Sequence, residues 1–155
     1  MRIFSEDIRV STRNRTEVVD VTADVEGVMR RSGIINGICV VHTVHSTTVI
    51  IVNEHEPGLR KDIVKKVQQD FPKGVGWLHD RVDDNADAHL ASSYIGPTRI
   101  FPVRQGRLVR GPGKTYSFSN WMDPEPEKSR WKLSVSRFYK LSSRWECVIL
   151  FISFA

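Results

Sequence analysis

The sequence predicts an α+β domain with a largely antiparallel sheet. Short β-prone runs and amphipathic helix patterns are mixed along the chain, without the regular strand–helix–strand alternation of a parallel α/β fold. A chain of 155 residues is long enough to bury a core of its own. Its content of 40% hydrophobic and 26% charged residues is typical of globular domains. We therefore expect an α+β fold.

The first part of the chain predicts a hairpin, a helix and two strands. Thr22 is a residue type that caps helices, and Gly33 is a typical helix stop. The two strands that follow are rich in β-branched residues and apolar enough to be central in a sheet. The predicted elements are, in order, hairpin strands 8–15 and 17–21, a helix over 23–31, and central strands 37–44 and 47–53.

The next part predicts two helices and a second hairpin. Pro57 is tolerated in the first turn of a helix, and the apolar residues that follow recur on one helical face. Asp84 is the expected N-cap of the second helix. The predicted elements are helix 57–69 with the apolar face Leu59, Ile63, Val64 and Val67, helix 85–94, and strands 99–103 and 107–109 turning at Gln105-Gly106.

The charge distribution argues against a nucleic-acid partner in spite of the formal net charge of +5. Residues 1–111 hold 16 Lys and Arg against 14 Asp and Glu, whereas residues 112–155 hold 7 against 4. The chain has no apolar run of about 18 residues and no secretory signal pattern. We therefore expect a cytoplasmic protein that binds neither membrane nor nucleic acid, with Cys39 as a buried free thiol.

The first candidate site segment joins the two predicted central strands. His45 closes one strand and Ser46 begins the next, so the sheet would present a ring nitrogen to a cleft. The alternative is that the His45 ring has no functional role and forms a hydrogen bond with a backbone carbonyl. His42 lies three residues before His45, so the alternation of side chains along a strand places it on the opposite face of the sheet. We expect His42 to have a structural role. Glu54 is a candidate base or orienting group, or it favours the start of the helix at Pro57.

The second segment, residues 77–90, reads WLHDRVDDNADAHL and holds two histidines and four carboxylates within eleven residues. Asp84 at a helix start and His89 one turn later would converge. Imidazoles with carboxylates suit Zn²⁺, with Mn²⁺, Fe²⁺ or Mg²⁺ as alternatives. We therefore predict a metal site of His45, His79 and His89. The spacing of these residues does not match a standard metal-binding motif. The other interpretation of the segment is an acidic capping loop with two histidines on the surface.

Four segments resemble the YjbQ family, also called UPF0047. Residues 45–54, HSTTVIIVNE, resemble the family segment HT(S/T)AxLxINE, and residues 79–90 resemble its histidine segment ending in DGNADAHL. Residues 91–98 and 106–108 resemble xASLLGPS and NGRL. The resemblance covers about residues 5–111. The departures, Ser46-Thr47, Asp84 in place of glycine, and an added His42, leave the three histidines intact.

The resemblance implies an α+β sandwich, commonly trimeric, with a histidine-lined site near subunit contacts. It also implies a secondary thiamine-phosphate synthase activity, which joins hydroxymethylpyrimidine diphosphate to thiazole phosphate and releases pyrophosphate. In that reaction Glu54, Asp80 and Asp84 are the predicted catalytic residues. Ser46, Asn85 and Arg107 are predicted to bind the phosphorylated substrate, and surface solvation is the other interpretation of Arg107. The competing class is a non-catalytic homo-oligomer whose histidines hold a structural metal or a small anion.

The resemblance stops at Gly111, which predicts a family-like body, 1–111, and an atypical tail, 112–155. The family continues GTWQ, an apolar strand and DGPR, whereas this chain reads GPGKTYSFSNWMDPEPEK. If the codons for residues 111–128 are read one base out of frame, a permitted choice of synonymous codons encodes TWQDIFFLELDGPRTRK. The prolines at 124 and 126 cannot continue a central strand, so we expect a loop over 123–130. Residues 145–154 are apolar and β-prone, and favour a strand or aggregation.

We predict that one base is missing from the coding DNA near Gly111. Sequencing the gene across the codons for residues 105–125 should show the base whose insertion restores the family frame. An intact frame through Pro112 would contradict the hypothesis.

Overall fold

A computed structural model describes residues 3–111, 115–120, 130–132 and 147–154, and its fold is α+β as predicted. Six of the eight strand pairings among the described residues are antiparallel. The helices are α1 (Thr22–Ser32), α2 (Pro57–Asp70) and α3 (Ala86–Ile95), with a short 3₁₀ helix, Leu78–Arg81, before α3. The strands are β1 (Ile3–Ser5), β2 (Arg9–Ser11), β3 (Glu17–Asp20), β4 (Gly37–Thr43), β5 (Thr48–Asn53), β6 (Thr98–Arg104), β7 (Arg107–Leu108), β8 (Thr115–Asn120), β9 (Arg130–Lys132) and β10 (Cys147–Phe154).

The strands form two sheets. The larger sheet has the order β2-β9-β10-β4-β6-β7, and β1 pairs with β10 beside this path. The smaller sheet has the order β3-β8-β5. Strand β4 is central as predicted, since it pairs in parallel with β10 and antiparallel with β6. Among the described residues, every helix is too short or too polar to cross a bilayer.

Strand β5 connects the two hydrophobic clusters of the molecule. Ile50 and Val52 belong to the main core, which also contains residues of α1, β2, β4 and β6. Val49 and Ile51 point the other way and pack in a second cluster with Ala88 of α3 and Val64 of α2. Because both faces of β5 are covered, its four inner residues, 49–52, are all apolar instead of alternating with polar residues. This strand holds α3 in place against the body of the protein.

The predicted opening hairpin is wrong. Strand β2 pairs with β9 in the larger sheet, and β3 pairs with β8 in the smaller one. Between them, Glu17 Oε2 accepts hydrogen bonds from the N–H groups of Arg13, at 2.7 Å, and Asn14, at 3.2 Å. This loop carries the chain from one sheet to the other. Strand β5 was also predicted to be central, but among the described strands β8 takes the centre of its sheet and β5 lies at an edge.

Both predicted helix caps are wrong, because neighbouring carboxylates take the free N–H groups. Asp20 Oδ1 accepts from the N–H of Thr22, at 2.8 Å, so Thr22 is the first residue of α1. Asp80 Oδ1 accepts from the N–H of Ala86 at 3.1 Å. Asp84 instead forms an ion pair with Lys73 at 2.9 Å.

The predicted turns agree with the structure where glycine sets the backbone. Gly33 ends α1 in the left-handed conformation, with a φ of 63°. Gln105 and Gly106, with φ angles of 51° and 71°, form the two-residue turn between β6 and β7. In the tail, β10 covers most of the predicted strand 145–154, whereas the predicted loop 123–130 lies outside the described residues except for Arg130.

We predict that Ile50→Ala lowers the free energy of unfolding by about 2–5 kcal/mol, because it leaves a cavity in the main core. The side chain of Ile50 is 0% exposed. Urea denaturation measures the change. Ile100→Ala is the matched control, since Ile100 is 63% exposed on β6 and should lose no more than about 0.5 kcal/mol. Equal losses at the two positions would contradict the placement of Ile50.

Candidate functional site

The centre of the candidate site is a pair of histidines. His79 lies in the 3₁₀ helix and is exposed, and His89 lies one turn into α3 and is partly buried. Their ring centroids are 4.8 Å apart, with the rings inclined at 72°. Residues ten positions apart therefore meet because the chain folds back between them.

A short hydrogen-bonded turn folds the chain back. The Asp80 carboxylate holds the first N–H of α3, as described above. Asn85, which is only 5% exposed, donates from Nδ2 to Asp83 Oδ2 at 2.6 Å. The N–H of Asp83 in turn donates to the carbonyl oxygen of His79 at 3.2 Å. Asp80 and Asn85, both predicted site residues, thus shape the turn on which the histidines stand.

The electrostatic surroundings keep His89 neutral. Burial is the largest influence and lowers the pKa of His89, and the neighbouring His79 lowers it further. The carboxylates of Asp83 and Asp87 act in the opposite direction. The net shift is downward from the usual value near 6.5, so the ring is uncharged at pH 7 and can offer a lone pair or an N–H.

An ion pair that the sequence analysis missed fixes α3. Arg15 Nη1 and Nη2 donate to the two carboxylate oxygens of Asp87, both at 2.8 Å. The side chains are 22% and 12% exposed. Arg15 lies in the loop between β2 and β3, 72 positions from Asp87. No local pattern pairs residues so distant in the sequence.

The loop between β4 and β5 brings His45 beside α3. Nδ1 of His45 lies 2.8 Å from the hydroxyl oxygen of Thr47. The carbonyl oxygen of Ser46 accepts a hydrogen bond from the hydroxyl of Ser92, one turn beyond His89. The predicted segments are therefore neighbours. Within the described ranges, however, no group of three or more His, Cys, Asp or Glu side chains could hold a metal ion.

Three other predicted site residues lie away from the histidine pair. The exposed side chain of Asp84 faces Lys73, as described above. Glu54 is exposed after β5. Its alternative role, at the start of α2, belongs to Glu56, whose carboxylate accepts from the N–H groups of Gly58 and Leu59. Arg107 is exposed on β7 and lines a separate cleft beside α1.

The two remaining histidines have contacts of their own. His42, on β4, has Nδ1 2.7 Å from the hydroxyl oxygen of Thr98 on β6, and burial lowers its pKa. His55, between β5 and α2, has Nε2 3.1 Å from Nη1 of Arg60.

The family model for UPF0047 protein YjbQ-like matches residues 6–130. The chain belongs to this family. A UPF0047 protein of Archaeoglobus fulgidus is 34% identical over 122 residues, which cover 79% of this chain and 94% of the relative. A UPF0047 protein of Methanothermobacter thermautotrophicus is 32% identical, over 84% of this chain and 91% of the relative. The family match runs past Gly111, where the recognisable motifs ended.

Solved structures show the same fold. A YbjQ-like protein of unknown function from Sulfolobus solfataricus is 41% identical, with a TM-score of 0.80, over 83% of this chain and 91% of that one. A hypothetical protein from Aeropyrum pernix is 34% identical, with a TM-score of 0.79, over 86% of this chain and 99% of that one. These relatives establish family and fold.

We predict that Asp87→Asn lowers the pKa of His89 further, because it removes one of the two carboxylates that raise it. NMR titration of the ring protons measures this shift. The substitution should also cost about 1–3 kcal/mol of stability, because Arg15 loses a charged hydrogen-bond partner. Asp24→Asn, on an exposed residue of α1, is the matched control. An unchanged His89 pKa in the Asp87 variant would refute the proposed electrostatics.

Proposed function

We propose that this YjbQ-family chain has a secondary thiamine-phosphate synthase activity centred on His79 and His89. The observation that carries the proposal is the meeting of the two imidazoles, 4.8 Å apart, beside carboxylates. Two rings at the edge of one turn can contact the same small substrate group. A neutral His89 is suited to hydrogen bonding or to ion binding at pH 7.

The reaction needs stabilisation of a leaving pyrophosphate. The thiazole nitrogen attacks the methylene carbon of the pyrimidine substrate, forming a C–N bond and a cationic thiazolium ring. The C–O bond to the diphosphate breaks, and pyrophosphate leaves with the bonding electron pair. In this proposal, N–H groups of His79 and His89 donate to the diphosphate oxygens, where negative charge develops. Asp80 serves as a positioning residue, because its carboxylate holds the turn between the two rings.

A divalent ion, preferably Zn²⁺, with Mn²⁺, Fe²⁺ or Mg²⁺ as alternatives, is part of the proposal. His79 and His89 fit such an ion as two ligands, which is fewer than the three protein ligands usual for catalytic zinc. The proposed third ligand is His45, which the structure does not group with the other two and which would have to turn toward them from its loop, bonded to α3 through Ser46 and Ser92. A bound ion would supply charge neutralisation for the diphosphate.

We also propose a homo-oligomer, with a trimer as the form that the family resemblance implies. Large apolar side chains lie exposed in the segment that carries the histidines: Leu78 is 73%, Val82 is 83% and Tyr94 is 79% exposed. Apolar residues clustered at this level of exposure are typical of surfaces that another molecule covers. A second copy of the chain there would enclose the histidine pair.

The experiment is to incubate the purified protein with hydroxymethylpyrimidine diphosphate, thiazole phosphate and Zn²⁺, and to measure thiamine phosphate and pyrophosphate. His89→Ala and His79→Ala should each lower the rate by about a hundredfold or more. His55→Ala is the matched control, because His55 contacts Arg60 near α2. Treatment with a chelator should abolish the activity, and Zn²⁺ should restore it.

The alternative is a non-catalytic metal- or phosphate-binding oligomer, and the same proteins distinguish it. Calorimetric binding of Zn²⁺ or thiazole phosphate that is lost in His89→Ala, without any product in the wild type, would favour the binder. Product formation that is unchanged in both histidine variants would refute a site at this pair.

A further inference from the structure

A cleft lies between α1 and the β6–β7 hairpin, with a volume of about 530 Å³. Its polar walls include Arg30 at the end of α1 and Arg107 and Arg110 at or just beyond β7. Met29 and Leu108 contribute apolar surface. None of the histidines lines this cleft. It is therefore separate from the candidate site at α3.

The charges around this cleft are unbalanced. Of its three arginines, Arg110 is paired with Glu26, with Nη2 at 2.7 Å from Oε1. Arg30 and Arg107 form no ion pair with a carboxylate among the described residues. Arg104 is the residue directly opposite Arg107 in the β6–β7 ladder. Arg104 does not line the cleft, but its charge opposite Arg107 is destabilising for the hairpin, and an anion bound to Arg107 from the cleft would reduce that repulsion.

The backbone holds this arginine cleft in a fixed shape. The tight turn at Gln105-Gly106 keeps β7 against β6, and the N–H of Gly106 donates to the carbonyl oxygen of Ile35 at 2.9 Å. Arg31, next to Arg30, turns away to pair with Glu6, with Nε at 2.9 Å from Oε2. The hairpin is thus anchored to the segment that follows α1. Little rearrangement is needed to present Arg30 and Arg107 to a ligand.

We propose that the arginine cleft binds a small molecule carrying a diphosphate or longer phosphate chain. Its volume lies in the usual range for small-molecule sites, about 300–1,000 Å³. Guanidinium groups bind phosphate through paired N–H donors, and the apolar contributions of Met29 and Leu108 suit the organic part of the ligand. This inference does not rest on the proposed function, because it uses none of the residues at α3.

Isothermal titration with inorganic pyrophosphate tests the proposal, in a protein that already carries His79→Ala and His89→Ala. Binding that survives in this background belongs to a site other than the histidine pair. Adding Arg30→Gln or Arg107→Gln should weaken it about tenfold or more, since each removes a charged hydrogen-bond donor. Arg107→Lys, which keeps the charge but loses the planar fork, should bind with intermediate affinity.

Arg13→Gln in the same background is the charge-matched control, because Arg13 is exposed in the loop between β2 and β3. It should leave the affinity unchanged, and thermal melting should show that every variant is folded. The proposal is overturned if the protein lacking His79 and His89 binds no pyrophosphate. It is equally overturned if Arg30→Gln and Arg107→Gln bind as tightly as the control. Either result would leave a thiamine-phosphate synthase activity at the histidine pair untouched.

Discussion

The hydrogen bond from the N–H of Ala86 to the carboxylate of Asp80 is the interaction on which the candidate site depends. Asp80 directly follows His79, and Ala86 opens the helix that carries His89, so this one contact sets how closely the two rings approach. A free N–H at the start of a helix attracts a carboxylate strongly, because the helix dipole adds to the hydrogen bond. The bond between Asn85 and Asp83 tightens the same turn from within. The acidic residues that suggested metal binding therefore have a structural task as well.

Sequence rules succeeded where local chemistry decides the structure. The stop at Gly33 and the turn at Gly106 follow from left-handed backbone conformations that glycine adopts readily, and Gln105 takes a positive φ beside Gly106 although it is not a glycine. The predicted helix caps were wrong because several carboxylates lie within reach of the start of each helix. A rule based on residue type does not say which of these carboxylates accepts the hydrogen bond from the free N–H group. The hairpin at β2 and β3 failed because their partners, β9 and β8, come from far along the chain. The ion pair between Arg15 and Asp87 could not be predicted for the same reason, since its two residues are also far apart in the sequence.

The candidate site also depends on the part of the chain after Gly111. Strand β8 lies between β3 and β5, and β10 supplies one neighbour of β4. Strand β5 in turn carries Val49 into contact with the Ala88 and Ala91 cluster of α3. A change in β8 would thus be transmitted through β5 to the helix that holds His89. This is a physical reason why an altered sequence after Gly111 matters for a site formed entirely before it.

The histidine pair and the arginine cleft differ in the charge of their surroundings, and this decides which ligand is proposed for each. At the histidine pair, the carboxylate of Asp83 stands close enough to act on the pKa of a neutral His89, and the charge of Asp87 is largely balanced by Arg15. A diphosphate that accepts hydrogen bonds from the two imidazoles would also meet the Asp83 carboxylate, so an accompanying cation would strengthen its binding there. At the arginine cleft the excess charge is positive, and a free anion gains directly. On the two proposals, a phosphorylated compound would bind with an accompanying cation at the histidine pair and without one at the arginine cleft. The dependence of affinity on divalent ions would then distinguish which site it occupies.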